Sequence, residues 1–486
     1  MNSAIRDLEP KAVWNKFADL NEVPRPSKKE ERVIAFMKHF GKSLGLQTEV
    51  DATGNVLIRK NATPGYENRK TVVMQSHLDM VHQKNAETQF DFNTQGIDMI
   101  IEGDWVKAKG TTLGADNGLG VATIMAILES NTIVHPAIEA LFTIDEETGM
   151  TGAKGLKGGW LTGDILLNLD TEEDDEIGVG CAGGVDVTAS RSYTEETITP
   201  NTVAYSLTIN GLNGGHSGMD INKGLGNANQ IMNRLLYEGS KVTALQIESI
   251  KGGSLRNAIP RESFVTIVID KKDQKSFENK VNDTFLWIKE ELKLVEENLA
   301  FHINKIEVPK VAMSPELSTK LIQSLYAAHN GVYTMSAAIP DLVETSNNIA
   351  KVEVGKGTIT IKCLTRSSVE SSKQDLVNKL TSTFELMGCI VTTGGDYPGW
   401  APDMNSSILK VMDALYTELH GAKANVAACH AGLECGILGQ NYPTMEMISF
   451  GPTIKGAHSP DERASISSVQ KYWNFTLEIL KRIPAK

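Results

Sequence analysis

Histidine and acidic residues follow several short apolar runs of this 486-residue chain, at points where a buried strand would end. They lie in the words SHLDM, LGADNGLG, DEETGM, NLDTEE and GAHSPDE, as His77, Asp79, Asp116, Glu146, Glu147, Asp170 and His458. Taken alone, a histidine at a strand end is usually a hydrogen-bonded structural residue, and DEET is a common solvated turn. Taken together, these residues predict a site where chemistry is done.

The chemistry that this set suits is hydrolysis at a pair of divalent cations. A zinc-like ion accepts imidazole nitrogen and carboxylate oxygen, and one shared aspartate can bridge two ions. Asp79 follows His77 by two residues and could hydrogen-bond and orient that imidazole. Of the adjacent Glu146 and Glu147, only one can point at a metal, which leaves the other to accept a proton from a bridging water.

The elements that must position these residues have the pattern of an α/β sheet. TVVMQS, IEALFTI and ILLNLD are short apolar runs between polar residues, which is typical of strands buried on both faces. Sites in open α/β sheets lie beyond the carboxyl ends of the strands, where the acidic residues and histidines fall. Ser27 followed by Glu30 predicts a capping box, and the apolar spacing after it predicts a helix up to Leu44.

The pattern changes near residue 186. VAYSLTING, ESFVTIVID and GTITIKCLTRSS alternate with period two, and residues 274–294 have helical spacing, so we expect a separate α+β domain. After the glycine-rich TTGGDYPGW, a buried-strand run returns in PTMEMISFG. We therefore predict an α/β domain with a mixed, mostly parallel sheet flanked by helices, in two parts (1–185 and 398–486), interrupted by an inserted α+β domain (186–397).

Composition narrows the classes of function. The formal net charge of −12 disfavours nucleic acid and anionic membranes as partners, and the first residues lack the apolar core of a secretory signal. We expect a soluble, cytoplasmic protein. Its five scattered cysteines predict neither a disulfide framework nor a structural zinc site. Nucleotide and serine-hydrolase motifs are absent from the sequence.

In chain order, the words H-x-D, ADNG, E-E, NLD, GGHSG, RNAIPRE and GAHSPDE resemble those of the co-catalytic zinc peptidases that group aminoacylases, carboxypeptidases and dipeptidases. The longer words HLDMVHQKN, DWVKAKGTTLGADNGLG, GCAGG and HAGLECG resemble the dipeptidase branch. The resemblance covers essentially the whole chain. It implies that residues 1–185 and 398–486 form the catalytic domain and that residues 186–397 form a lid.

The resemblance also implies roles at the site. Two zinc ions, with cobalt or manganese as substitutes, would be held by His77, Asp116 and Asp170 and by Asp116, Glu147 and His458. Glu146 would be the general base, Asp79 the orienting residue, and the Asp116–Asn117 peptide bond cis. An aspartate at position 170 goes with dipeptidase and aminopeptidase members, whereas glutamate goes with carboxypeptidases and deacylases.

Three residues of the inserted domain acquire roles in the same way. His216 in GLNGGHSGMD resembles a histidine that binds the transition-state oxyanion. Asn257 and Arg366 match positions that bind the substrate carboxylate. Without the resemblance, these residues would be a histidine in a glycine-rich turn, a strand-end amide and a surface cation. The length of the lid leaves open whether His216 acts within its own chain or across a homodimer.

The expected function is hydrolysis of unblocked dipeptides, Xaa-His, carnosine-like and others, by a water bound between two zinc ions with Glu146 as base. The substrate would be a small dipeptide, with neither nucleic acid nor membrane as partner. Two alternatives stay open. One is a related amidohydrolase, either an N-acyl amino acid deacylase or a tripeptidase, and the other is a catalytically silent metal or peptide binder.

Overall fold

The structure is a computed structural model that describes residues 2–486, and its chain divides into two compact units. Unit 1 comprises the described chain up to Gly180, Pro402–Ala428 and Leu433–Lys486, and unit 2 comprises Cys181–Ala401 and Cys429–Gly432. The predicted boundaries differ by five residues at the first (185 against 180) and by four at the second (397 against 401). The first strand of unit 2 begins at Gly183, before the period-two alternation is visible in the sequence.

Unit 1 alternates helices and strands, which we number in chain order through the whole protein. Its helices are α1 (Ser3–Arg6), α2 (Lys11–Asn21), α3 (Glu31–Ser43), α4 (Ala115–Glu129), α5 (Glu146–Gly149), α6 (Thr151–Gly155), α11 (Ser407–His420), α12 (Glu434–Asn441) and α13 (Ile466–Arg482). Its strands are β1 (Gln47–Val50), β2 (Val56–Lys60), β3 (Val72–His77), β4 (Met99–Glu102), β5 (Trp105–Ala108), β6 (Ile138–Thr143), β7 (Ile165–Asn168), β8 (Glu176–Cys181), β20 (Asn425–Cys429), β21 (Glu446–Ser449), β22 (Ile454–Lys455) and β23 (Arg463–Ser465).

The main sheet of unit 1 is mixed. Within residues 2–486 its strand order is β1-β2-β6-β3-β7-β21-β8-β20, and the four central strands, β6, β3, β7 and β21, run parallel. Every residue of β3, β6 and β7 is buried, as predicted for strands covered on both faces. The α/β class is confirmed, with antiparallel pairing at β1, β2 and β8. The carboxyl ends of β3, β6 and β7 therefore meet at one edge of the sheet.

The predicted helix before β1 is confirmed as α3, but its predicted capping box is wrong. The hydroxyl of Ser27 donates to the carbonyl of Met80, and the carboxylate of Glu30 accepts the N–H of Lys28. Glu30 occupies the N-cap position itself and makes no side-chain capping bond to the helix. A tertiary partner 53 residues away thus takes the serine that local pattern had assigned to the helix end.

Unit 2 is an α+β structure. Its strands are β9 (Gly183–Ser192), β10 (Glu196–Thr197), β11 (Thr202–Asn210), β12 (Gln246–Gly252), β13 (Ser263–Asp270), β14 (Ala300–Ile306), β15 (Val311–Ala312), β16 (Gly331–Met335), β17 (Val343–Gly355), β18 (Thr358–Ser367) and β19 (Ile390–Tyr397). Its helices are α7 (Ala228–Gly239), α8 (Gln274–Leu292), α9 (Pro315–Ala327) and α10 (Glu370–Leu386), with a 3-10 turn at Lys271–Asp273.

All but two of the strands of unit 2 form one antiparallel sheet that buries one face, and β10 pairs with β15 in a separate two-stranded sheet. The order of the larger sheet within the described chain is β14-β11-β13-β12-β17-β18-β9-β19, with β16 paired to β17. Alternate residues of β11, including Tyr205 and Leu207, pack with Phe277 of α8 and Phe384 of α10 in one apolar core. Across residues 2–486, each helix is too short or too polar to cross a membrane.

Candidate active site

Asp116 is the centre of the site. Its Oδ1 atom lies 3.1 Å from Nε2 of His77, and its Oδ2 atom lies 3.2 Å from Nε2 of His458. It follows Gly114, whose positive φ turns the chain into α4, and the Asp116–Asn117 peptide bond is cis, as the resemblance implies. The two oxygens of one carboxylate thus face two imidazoles that are 381 positions apart in the sequence (458 − 77).

Each imidazole has a second acidic neighbour. Asp170 Oδ1 lies 3.5 Å from Nε2 of His77, and Glu147 Oε2 lies 3.0 Å from Nε2 of His458. In each trio, the ligand atoms lie within 4.8 Å of one another. The structure therefore brings together all five residues that we predicted as ligands, in two clusters that share Asp116. A third cluster of this kind joins His77, Glu146 and Glu147.

These clusters have the chemistry of a site that could hold metal ions. Nitrogen from imidazole and oxygen from carboxylate are the donors that borderline cations accept. Oε1 of Glu147 is buried and has no hydrogen-bond partner among the described residues, so it is available to a ligand. Burial raises the pKa of Glu147 and of Asp170 above their ordinary values. Carboxyl groups packed this closely need cations to stay ionised together.

Glu146 lies at the first residue of α5, beside the clusters. Burial, together with the negative charges of Asp170 and Glu434, raises its pKa well above the ordinary value. A carboxyl group with a raised pKa is suited to accept and return a proton near neutral pH. The structure thus places the residue predicted as general base next to the predicted ligands.

Asp79 contacts both the start of α5 and the imidazole of His77. Its carboxylate accepts the backbone N–H of Glu146 at 3.0 Å and of Glu147 at 3.3 Å. Nδ1 of His77 lies 3.1 Å from the carbonyl oxygen of Asp79 and 3.4 Å from its Oδ1. The predicted orientation of His77 is therefore shared between backbone and side chain. The carboxylate also holds the start of α5, a contact that the sequence did not indicate.

A buried polar network lies beneath the site, in the centre of the sheet. Oε2 of Glu434 accepts from Nε2 of Gln75 and from Oγ1 of Thr143, each at 2.6 Å, and Oε1 of Gln75 accepts from Nδ2 of Asn168 at 2.6 Å. Burial raises the pKa of Glu434 to about 7. Sequence reasoning missed this acid, because HAGLECG served there only as a word that resembles the dipeptidase branch.

Unit 2 carries the remaining predicted residues. Nδ1 of His216 accepts the N–H groups of Gly218 at 3.2 Å and Met219 at 3.0 Å, so a neutral His216 carries its proton on Nε2. Burial, then the charge of Arg366, lowers the pKa of His216, which favours the neutral ring. The turn therefore presents His216 as a neutral Nε2–H donor.

Arg366 is buried at 5% exposure, so the alternative of a surface cation is wrong. Its Nη1 donates to the hydroxyl of Tyr397 at 2.8 Å, and its Nε has no partner within residues 2–486. A Cβ at Gly218 would lie 2.0 Å from the carbonyl oxygen of His430, 3.1 Å from Cε1 of His216 and 3.2 Å from Nε of Arg366. These two side chains therefore approach one glycine, where a larger residue would not fit.

Asn257 is exposed, and its carbonyl accepts the N–H of Ser217, next to His216. Two further histidines lie in or beside the sequence words. His82 is exposed against Phe92, and His430, buried in unit 2, contacts the hydroxyl of Ser346 at 2.7 Å. Neither belongs to the clusters found among the described residues.

Fold and site together define a hydrolase with a carboxylate-imidazole centre that could hold metal ions. The model of peptidase family M20/M25/M40 matches residues 73–482, and the chain belongs to this family of hydrolases acting on peptide bonds.

Individual relatives are similar over the full length. The chain is 43% identical over 484 residues to the cytosol non-specific dipeptidase of Escherichia coli strain K12, covering 100% of both chains. The crystal structure of aminoacylhistidine dipeptidase from Vibrio alginolyticus matches with a TM-score of 0.94 at 42% identity, covering 99% of this chain and 98% of that one. A tripeptidase from Staphylococcus aureus matches with a TM-score of 0.56 at 17% identity, covering 98% of this chain and 99% of that one, which shows the fold alone.

Proposed function

We propose that the protein is a cytoplasmic dipeptidase that binds two zinc ions and hydrolyses unblocked dipeptides, Xaa-His among them. The observation that carries the proposal is the position of Asp116, one carboxylate between His77 and His458. The names of two relatives, a cytosol non-specific dipeptidase and an aminoacylhistidine dipeptidase, support the substrate class.

His77, Asp116 and Asp170 would hold one ion, and Asp116, Glu147 and His458 the other. Bound zinc would supply Lewis acidity toward the scissile carbonyl and lower the pKa of a water molecule. Glu146 accepts a proton from the attacking water as the water oxygen bonds to the scissile carbonyl carbon, and it returns that proton to the amine nitrogen as the C–N bond breaks. Asp79 keeps Glu146 in position through the N–H groups at the start of α5.

The roles proposed in unit 2 follow from the chemistry of its side chains. His216 donates its Nε2–H to the oxyanion that forms at the scissile carbonyl. The buried guanidinium of Arg366, with Nε unpartnered in the described chain, binds the carboxylate at the end of the substrate, and Asn257 donates to it. A free carboxylate would then set the length of the peptide that is cleaved.

A panel of four substrates tests the proposal, with zinc-loaded enzyme acting on Gly-His, β-Ala-His, N-acetyl-His and the amide of Gly-His. We expect cleavage of Gly-His, and a much higher KM for its amide. The variant Arg366→Met should raise KM for Gly-His and so reduce the difference in KM between Gly-His and its amide. Cleavage of N-acetyl-His alone would establish a deacylase. Failure to cleave any of the four substrates with two ions bound would refute the proposed dipeptidase activity and favour a catalytically silent metal or peptide binder.

A further inference from the structure

Two buried side chains of opposite charge lie on either side of the turn that leads into Asp116. Glu462 and Arg25 are 2% and 1% exposed. Neither belongs to the proposed ligands or to the groups that move a proton. Buried charges are costly unless they are fully bonded, so their partners indicate what they do.

Glu462 binds the backbone of this turn through both of its oxygens. Oε2 accepts the N–H of Leu113 at 2.7 Å and of Gly114 at 2.9 Å. Oε1 accepts the N–H of Ala115 at 2.7 Å and of Asp116 at 3.2 Å. Four consecutive N–H groups, ending at Asp116 itself, are thus held by one carboxylate.

Glu462 also shares a short loop with His458, between β22 and β23. The N–H of Glu462 donates to the carbonyl of Ser459 at 3.1 Å, and β23 pairs with β5. The loop that brings His458 to Oδ2 of Asp116 therefore also fixes the backbone of Asp116. Two ligand-bearing segments are joined by a contact that involves no metal.

Arg25 binds the other side of the same turn. Its Nη2 donates to the carbonyl of Gly114 at 2.6 Å, and its Nη1 donates to the carbonyls of Leu78 and Asp79, each at 3.1 Å. Leu78 and Asp79 directly follow His77. A single guanidinium thus joins the segment after His77 to the turn before Asp116.

We propose that Arg25 and Glu462 are positioning residues that hold the segments of His77, Asp116 and His458 in place before any metal binds. The inference rests on the proposed metal site and names what builds it. Because the carboxylate accepts the N–H groups of the turn and the guanidinium donates to its Gly114 carbonyl, Asp116 is oriented in the metal-free protein. Metal ions then bind to an existing arrangement.

The test that needs no substitution is hydrogen exchange of the amides of residues 113–116 in metal-free and zinc-loaded protein. We expect these amides to be protected in both states, since Glu462 accepts their hydrogen bonds without metal. Free exchange in the metal-free protein, with protection only after zinc is added, would overturn the proposal.

Substitutions provide the second test, with Co²⁺ binding followed by its visible absorption bands. Glu462→Gln replaces one acceptor oxygen with an amide group that faces N–H donors, and we expect Co²⁺ affinity to fall about 10- to 100-fold. Arg25→Lys keeps the charge but offers a single ammonium in place of the two Nη atoms that bind the carbonyls, and should also weaken Co²⁺ binding. Unchanged affinity in both variants would contradict the proposal.

A matched control distinguishes positioning from general destabilisation. Glu446 also accepts backbone N–H groups in unit 1, those of Ser407 and Ile408 at the start of α11, and it lies outside the clusters. Glu446→Gln should lower the thermal midpoint and leave Co²⁺ affinity unchanged, and an equal loss of affinity in this control would overturn the proposal. Failure of the parent protein to bind two ions would instead refute the proposed metal site.

Discussion

The substitution Asp79→Asn tests how the general base is held. The carboxylate of Asp79 accepts two N–H groups at the start of α5, those of Glu146 and Glu147. Asparagine keeps one acceptor oxygen and places an NH₂ group where the second oxygen was. At least one of the two N–H groups then loses its partner, and the position of Glu146 is less well fixed.

The size of the effect follows from that contact. A hydrogen bond to a charged group contributes about 1.5–3 kcal/mol. If this loss appears fully in the transition state, kcat falls about 10- to 150-fold, since 1.36 kcal/mol is tenfold in rate. KM for Gly-His should change little, because Asp79 contacts the base-bearing helix and not the proposed substrate groups.

The assay is steady-state hydrolysis of Gly-His at saturating zinc, with metal content measured on the same samples. Asp98→Asn is the matched control, because Asp98 pairs with Lys109 at the surface of the same unit. A variant with two bound ions and the parent kcat would refute the positioning role of Asp79. If the variant binds less metal than the parent protein, the loss of activity would instead be attributed to the contact between Asp79 and His77.

Three further outcomes are expected. Removing metal with a chelator should lower the thermal midpoint as well as abolish hydrolysis, because the clustered acids then lose their counter-ions. Burial, then Arg366 and His216, lowers the pKa of His430 to about 3, against about 6.5 for an ordinary histidine. As the pH drops, the unfolded chain therefore binds a proton at this histidine before the folded protein does, so the stability falls between about pH 6.5 and pH 3. The variant His430→Asn should reduce the dependence of the thermal midpoint on pH in this range. Phe277→Ala, in the core of unit 2, should lower the free energy of unfolding measured in urea by about 3–5 kcal/mol. Phe264→Ala, at an exposed strand position, should lower it far less.

Local sequence patterns were enough to predict the central strands and the edge of the sheet where the site lies. TVVMQS and IEALFTI are mostly apolar because β3 and β6 are buried on both faces, and this pattern does not depend on distant partners. The candidate ligands could be predicted for a related reason. His77 is the last residue of β3 and Asp170 lies two residues after the end of β7, and the chemistry of a two-metal site limits the residue types that can stand there.

The supporting residues could not be predicted, because their partners are remote in sequence. Glu462 binds a turn 346 positions away, and Arg25 binds carbonyl groups 53 to 89 positions away. Nothing in the types of their sequence neighbours indicates backbone N–H or carbonyl partners. The capping box failed in the same way, since the hydroxyl of Ser27 bonds to Met80 in place of the helix.

The most direct test of the central claim is to measure metal content and Gly-His turnover on the same preparations of the parent protein and Glu146→Gln. Glu316→Gln, at an exposed position of α9, serves as the matched control. We predict two ions per chain in all three proteins, and a kcat at least about 100-fold lower in Glu146→Gln alone. Parent-like turnover by Glu146→Gln with two ions bound, or hydrolysis by the metal-free parent protein, would contradict the account.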